Sequence, residues 1–403
     1  MALTPLRAAL DEILALCPAP SQREEVSLPE ALGRVLAAKV VAPRDVPLAD
    51  NSAMDGYAVR SSDVPGQLRV SQRIPAGAEP KPLEPGTTAR IFTGGVIPKG
   101  ADTVVMQEDV LEQQDGRVSI LGCVTPTQHV RPAGADLRQG ADVLDAGRVL
   151  TSQDLGLLAS LGLSRITVYR RLRVGVISTG DELIEPGSGE LKPWQVYNSN
   201  RFQLLAQVTS LGLQAVDYQS VPDDPEAIRQ LLARVSSEVD CIVTSGGVSV
   251  GEEDHVKAQI EALGSLKLWK LAIKPGKPLA FGEVCGTPIF GVPGNPVSAW
   301  VTFALVVRPW LLKAQGVSQS GVRRLSALAE FDHSRPNTRE EYIRVSLHSD
   351  DQGRLMASSV GSQSSGVLSS VAKADALARI PAHTSLHRGD AVEVMLIESL
   401  ARA

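Results

Sequence analysis

The stretch TSGGVSVGEEDHVK, residues 244 to 257, follows the apolar run Cys241, Ile242 and Val243 and sets a glycine pair at the end of a strand-like segment. Backbone N–H groups freed by such a turn, at Ser245, Gly246 and Gly247, form a cradle for an anion. Glu252, Glu253 and Asp254 follow closely and would repel the same anion. A divalent cation reconciles the two, because Asp181, Glu182 and Asp254 are hard oxygen donors able to hold Mg²⁺ against a phosphate. The segment IKPGKP adds Lys274 and Lys277, and Lys270 is expected on the same strand face as Lys274, since alternate residues of a strand share a face. The expected ligand is a phosphorylated compound together with the metal. Plainer readings stand beside this one: a glycine pair as a tight turn, the acidic run as a helix-dipole partner, the lysines as a solvated edge strand.

The elements that must position these groups follow from hydrophobic patterning. Between residues 171 and about 315 strand-like and helix-like segments alternate: RVGVIS, RFQLLAQVTSLG, LQAVDYQS, EAIRQLLARV, DCIVTS, EDHVKAQIEALG, LWKLAI, PLAFG, PIFGV and NPVSAWVTFALVVRPWLL. Such alternation predicts a parallel sheet with helices on both faces. In the last segment Asn295 is expected as N-cap and Pro296 at the first helical position. VISTGDEL, IVTSGGVSVGEED and IFGVPGNPVS each end a buried strand in small residues, so their loops should lie along one sheet edge, where open parallel sheets bind ligands. Pro293 and Asn295 join the candidate site there. No GxxxxGK[ST] or GxGxxG follows any of these strands, which excludes the common nucleotide loops.

On either side the texture differs. Leu6, Leu10, Ile13 and Leu14 keep helical spacing, and LTSQDLGLLASLG at 150 to 162 is a helix that could pack beside the first one. Residues 46–139 are rich in proline and glycine with short apolar runs and are expected to form an inserted β-rich domain. Within it DNSAMDGYAV carries Asp55 at an Asp-Gly turn, and RIFTGG carries Thr93. Period-two alternation in EYIRVSLH and DAVEVMLI predicts a small antiparallel barrel over 321–403. The expected architecture is α/β plus β, an elongated multidomain chain. It comprises a discontinuous helical and linking domain (1–45 and 140–170), the insertion (46–139), a central parallel α/β domain (171–320) and a C-terminal β-barrel (321–403).

Composition narrows the function classes. The chain has 403 residues, with 40 basic against 45 acidic residues and a net charge of -5, which implies neither a nucleic-acid surface nor a polybasic membrane anchor. Cys17, Cys123, Cys241 and Cys285 form no CxxC pair, so neither a disulfide framework nor a cysteine zinc site is expected. The N-terminus lacks a signal-peptide pattern, and AWVTFALVV is too short to span a bilayer. A cytoplasmic location is expected. His383 and His387 are flanked by Pro381 and Gly389, which argues for a turn there and not a metal-bearing helix.

Taken in order, DNSAMDGYAV, IFTGG, STGDEL, TSGGVSVGEED, KLAIKPGKP and GVPGNPVSA resemble the MoeA-like molybdopterin molybdenumtransferases, a family that includes the E domain of gephyrin. The resemblance implies that adenylylated molybdopterin and molybdate are the substrates, that molybdenum enters the dithiolene, and that AMP leaves with Mg²⁺ assisting. It also implies a homodimer, with the insertion of one subunit facing the α/β domain of the other. Carried over by position, its functional residues fall on Asp55, Thr93, Asp136, Glu182, Asp223, Asp254, Lys270 and Lys274, with Glu182 and Asp254 at the metal. Arg344 of EYIRV and Ser365 of SQSSGVLSS fall at the molybdate. Two rival functions are a molybdopterin adenylyltransferase, whose α/β domain would look alike, and a gephyrin-like scaffold without catalysis.

Overall fold

The computed structural model describes residues 3–20, 22–221, 223–246 and 255–402. At its centre is a six-stranded sheet in the order Gln214–Val221, Arg173–Thr179, Cys241–Ser245, Thr287–Val292, Pro278–Val284, Gly264–Lys270. The first four strands are parallel, Pro278–Val284 pairs antiparallel with the fourth, and Gly264–Lys270 pairs antiparallel with Pro278–Val284. The sheet is thus mixed where alternation alone predicts parallel pairing, because only the turn Cys285–Gly286 separates Pro278–Val284 from Thr287–Val292 and so short a connection permits only a hairpin.

Alternation along the strands divides two cores. Val174, Val176, Cys241, Val243, Phe290 and Val292 face helices Ser199–Ser210 and Pro296–Thr302, whereas Ile177, Ile242 and Ile289 face Pro225–Glu238 and His255–Leu263. The helix begun at Pro296 continues through a π-helical turn, Phe303–Val307, into Arg308–Ala314. Pro309 lacks the N–H an α-helix would use there, and a widened turn before it accommodates that loss. By composition this segment is long and apolar enough to cross a membrane, but 89% of it is buried inside the protein as a core helix.

The first helix, Leu6–Ala15, lies where patterning does not place it. Ala9 and Ile13 join the core beneath the central sheet, and Lys313 Nζ donates to the Leu14 carbonyl at 2.8 Å. Helix Ser152–Ser160 instead buries Leu158 with Val26, Leu36, Ile166 and Val168, around the antiparallel pairing of Arg23–Ser27 with Arg165–Tyr169. The expected contact between the two helices gives way because each amphipathic face has a larger apolar partner nearby.

Residues 56–120 form a second six-stranded sheet, ordered Thr103–Met106, Gly56–Val59, Thr87–Ile91, Gly66–Ile74, Arg117–Ile120, Val110–Glu112. At the C-terminal end Glu340–Ser349, Leu355–Ser359, Arg324–Ala329, Ala391–Leu396 and Ala376–Ile380 pair in turn, and the last pairs back with the first to close a five-stranded barrel. Its interior holds Ala327, Ala329, Ala357, Ala376 and Ala378, small side chains that fit the narrow bore of so few strands. The strand Ile273–Lys274 leaves the α/β domain to pair with Glu340 and Glu341 of the barrel.

Candidate active site

A cleft of about 910 Å³ lies outside the carboxyl ends of Arg173–Thr179, Cys241–Ser245 and Thr287–Val292, and residues 363–366 of the barrel domain roof it. Strand ends in a parallel sheet leave backbone groups and loop side chains facing one crevice, which is why the three glycine-ended segments converge there. Glu182, Ser245, Gly246, Lys274, Lys277, Pro293, Asn295 and Ser365 line it.

Local geometry explains the sequence. Gly246 has φ +88°, and a Cβ there would lie 2.9 Å from the Thr179 carbonyl oxygen, so the strand can turn out of the sheet only with glycine. Gly276 has φ +102°, and its Cβ would meet Thr302 Oγ1 at 2.6 Å; the KPGK loop therefore rides directly on helix Pro296–Thr302. Asn295 occupies the cap position, yet its side chain makes no cap hydrogen bond and its amide lines the cleft. The Val297 N–H at this helix start donates instead to the Ser365 carbonyl at 3.1 Å, which docks the barrel loop.

The opposite wall is held by a charged cluster. Arg201 donates to Asp217 at 2.7 and 2.5 Å and also to Glu185. The Asn198 side chain caps helix Ser199–Ser210 by accepting the Arg201 N–H, and Asn200 Nδ2 donates to the Gly294 carbonyl at 2.7 Å. The Arg201 guanidinium holds the Asp217 carboxyl below the usual carboxylate range. These contacts tie the loop after Glu182 to the helix start that faces the cleft.

Several expected residues lie elsewhere. Lys270 does not line the cleft. The strand Gly264–Lys270 ends at Lys270, and Ile273–Lys274 belongs to the barrel's sheet, so the two lysines do not share one strand face. Lys274 Nζ instead lies 3.0 Å from Glu341 of the barrel. The Asp223 N–H donates to Asp181 Oδ1 at 3.2 Å, which puts Asp223 beside the loop of Glu182 without lining the cleft. Gly247 and Asp254, with Glu252 and Glu253, lie outside the described residues.

Arg344 is 1% exposed, and its guanidinium is spent within its own domain. It donates to Ser370 Oγ at 3.2 Å and to the carbonyls of Tyr342, Ser364 and Ser362 at 3.2, 3.3 and 3.5 Å. Burial pushes its pKa down to about 10. It is thus a brace for the segment 362–364 and not a group open to a ligand. The barrel cation that does line the cleft is Arg339, which donates to the Ile273 carbonyl at 3.3 Å. Sequence reasoning missed it, because nothing local separates Arg339 from Arg335 or Arg344. Gln363 was missed as well; its amide accepts the Arg344 N–H at 2.9 Å and donates to the Arg344 carbonyl at 3.1 Å, as a neighbouring strand would.

No residue of 46–139 lines the cleft. There the Thr93 N–H and hydroxyl both donate to Asp55 Oδ1, at 2.7 and 2.8 Å. Those two donors hold the Asp55 carboxyl below its usual range, and Arg90 adds to the effect. Asp136 is exposed in a turn whose backbone N–H donates to the Val46 carbonyl at 2.9 Å.

Comparison with known proteins gives consistent matches along the chain. Residues 4–162 match the family described as MoeA N-terminal region (domain I and II), residues 175–313 the "Probable molybdopterin binding domain", and residues 326–397 the MoeA C-terminal region (domain IV). A molybdopterin molybdenumtransferase of Haemophilus influenzae is 40% identical over 374 residues, covering 92% of each chain. One from Nostoc sp. is 39% identical, over 89% of this chain and 85% of the relative. The crystal structure of the molybdopterin biosynthesis moeA protein from Pyrococcus horikoshii OT3 superposes with a TM-score of 0.86 at 31% identity, covering 98% of this chain and 100% of that one.

Proposed function

The chain belongs to the MoeA family, and from that premise we propose that it is a molybdopterin molybdenumtransferase. It passes molybdenum from molybdate to adenylylated molybdopterin and releases AMP, the last step of molybdenum cofactor synthesis. The observation that carries this reading is the cleft itself, which Lys274, Lys277 and Arg339 of the barrel line together with the strand-end turn at Ser245 and Gly246.

The residues divide the work by chemistry. The turn at Ser245 and Gly246 receives phosphate oxygens, while Lys277 and Lys274 neutralise the charge that builds on the leaving phosphate. Arg339, which lines the cleft with Ser364 and Ser365, takes the molybdate oxyanion through its planar fork of donors, and Lys274, in the same cleft, serves both anions. Glu182 is exposed on the cleft and makes no ion pair among the described residues. One or two carboxylates plus substrate phosphates suit Mg²⁺, and Glu182 with Asp254 would hold it, where it would polarise the pyrophosphate bond.

Asp55 and Thr93 enter this reading through a homodimer in which each site takes the insertion of the partner. Support is indirect: the pair is preorganised and exposed, and no residue of the insertion lines the cleft of its own chain. If Asp55→Asn and Asp254→Ala are refolded together, random exchange leaves roughly a quarter of wild-type activity. Each variant refolded alone stays inactive. No recovery in the presence of heterodimers would mean that each site is built within one chain. Four free cysteines suit the reducing cytoplasm to which we assign the protein.

The deciding experiment supplies adenylylated molybdopterin, Mg²⁺ and either molybdate or tungstate, and measures AMP release with metal incorporation. Formation of adenylylated molybdopterin from molybdopterin and ATP would favour the adenylyltransferase reading. Absence of both reactions would favour a scaffold.

A further inference from the structure

Lys274 reaches the cleft with its charge already claimed. Its Nζ lies 3.0 Å from Glu341 Oε2, a carboxylate on the barrel strand Glu340–Ser349 that is only 6% exposed. On the far side of the same carboxylate, Oε1 lies 3.3 Å from His333 Nε2. That nitrogen is close but not aligned as a hydrogen bond, and it has no hydrogen-bond partner among the described residues. The arrangement is a row of cation, buried anion and titratable ring, running from the cleft into the domain boundary.

Of the other charged groups on the elements around His333, Arg335 is exposed and makes no ion pair among the described residues, and the rest have partners of their own. Asp332 accepts the Arg388 N–H and faces His387 at 3.7 Å, and Arg388 itself faces Glu330 at 3.6 Å. Glu340 pairs with Arg379 at 2.9 Å, and Arg339 donates to the Ile273 carbonyl. The segment bridging to His333 contributes the backbone of Leu386, and the His383 N–H donates to the Asn337 carbonyl. Glu341 is therefore the carboxylate that faces His333, and Lys274 and His333 are its two candidate counter-ions.

An anion seated in the cleft competes with Glu341 for Lys274. A buried carboxylate deprived of its cation is strongly unfavourable, and the protonatable group against its other oxygen is the His333 ring. We propose that Glu341 and His333 form a counter-ion relay for Lys274, so that seating an oxyanion on Lys274 is coupled to proton uptake at His333. Both are positioning residues: neither touches substrate, and each acts through Lys274. This rests on the reading that Lys274 meets an anionic substrate. The sign follows from linkage: a ligand whose binding takes up a proton binds more tightly as pH falls.

The test is calorimetric titration of the full-length protein with molybdate, which stays a dianion near neutral pH, in buffers of different ionisation enthalpy. For wild type the heat should depend on the buffer, reporting uptake of up to about one proton per molybdate, with affinity rising by at most about tenfold per pH unit on acidification. His333→Gln should bind molybdate with buffer-independent heat and a flattened pH profile. Glu341→Gln should lose the uptake too, and with Lys274 released it should bind molybdate more tightly above neutral pH. If Glu341→Gln fails to fold, His333→Gln decides alone. Saturable binding with buffer-independent heat in wild type, or proton uptake that survives in His333→Gln, overturns the relay and leaves the functional reading intact. No saturable binding of molybdate by wild type overturns both.

Discussion

Arg344 and Arg339 leave the same barrel strand region with opposite fates, and replacing each should give opposite signatures. Arg344 makes four contacts at 3.2, 3.2, 3.3 and 3.5 Å, the longest at the limit of a hydrogen bond. Three effective bonds from a charged donor, at about 1.5–3 kcal/mol each, predict a gross loss of about 4.5–9 kcal/mol for Arg344→Met. The guanidinium has no carboxylate partner among the described residues and is held down by burial, so removing it also relieves a desolvation cost. A net loss of about 1–3 kcal/mol remains. A multidomain chain has no single unfolding free energy, and the effect is best read locally. Amide hydrogen exchange across 340–349 and 360–371 should quicken by about 5–150-fold wherever exchange follows local opening. Arg339→Gln removes one 3.3 Å contact and should change exchange by less than about fivefold. It should, however, raise the KM for molybdate by about 10–150-fold, the range expected for a hydrogen bond to a charged group. Unchanged exchange with a large KM effect in Arg344→Met would refute the brace. Full molybdate affinity in Arg339→Gln would refute the reassignment of the oxyanion contact.

Two further outcomes are expected. Gly246→Ala forces a Cβ into the left-handed region at a cost of about 1–2 kcal/mol and drives it against the Thr179 carbonyl; AMP release should fall while the barrel's exchange pattern stays unchanged, and full turnover would contradict the cradle. Thr93→Val removes the hydroxyl donor to Asp55 and should move that carboxyl's titration upward, as read by carbon NMR. Its contribution to stability is present above the unfolded value and lost as pH falls through the lowered folded value, and an unmoved titration would mean the Thr93 hydroxyl is not what holds it.

What the sequence by itself determined is local. Short, nearly continuous apolar runs dictated the strands Arg173–Thr179 and Cys241–Ser245 and their burial, and the stripe Ile228, Leu231, Leu232, Val235 dictated helix Pro225–Glu238. Small residues after each strand placed Ser245, Gly246, Pro293 and Asn295 on one edge, because a parallel sheet carries all its carboxyl ends to the same side. Tertiary structure decided the rest. Period-two alternation puts Arg344 on the face of Tyr342, outside the barrel, but only the return of residues 362–370 over that face buries it. Nothing near Arg339 in sequence says that the barrel docks with that side chain over the cleft. The run from Lys270 to Lys274 reads as one strand, yet it is divided between two sheets because Ile273 and Lys274 find hydrogen-bonding partners at Glu340 and Glu341. The first helix chose the α/β core for a similar reason. An amphipathic face specifies that it must be buried, and which surface buries it depends on groups far along the chain, whose arrangement exists only once the domains have met.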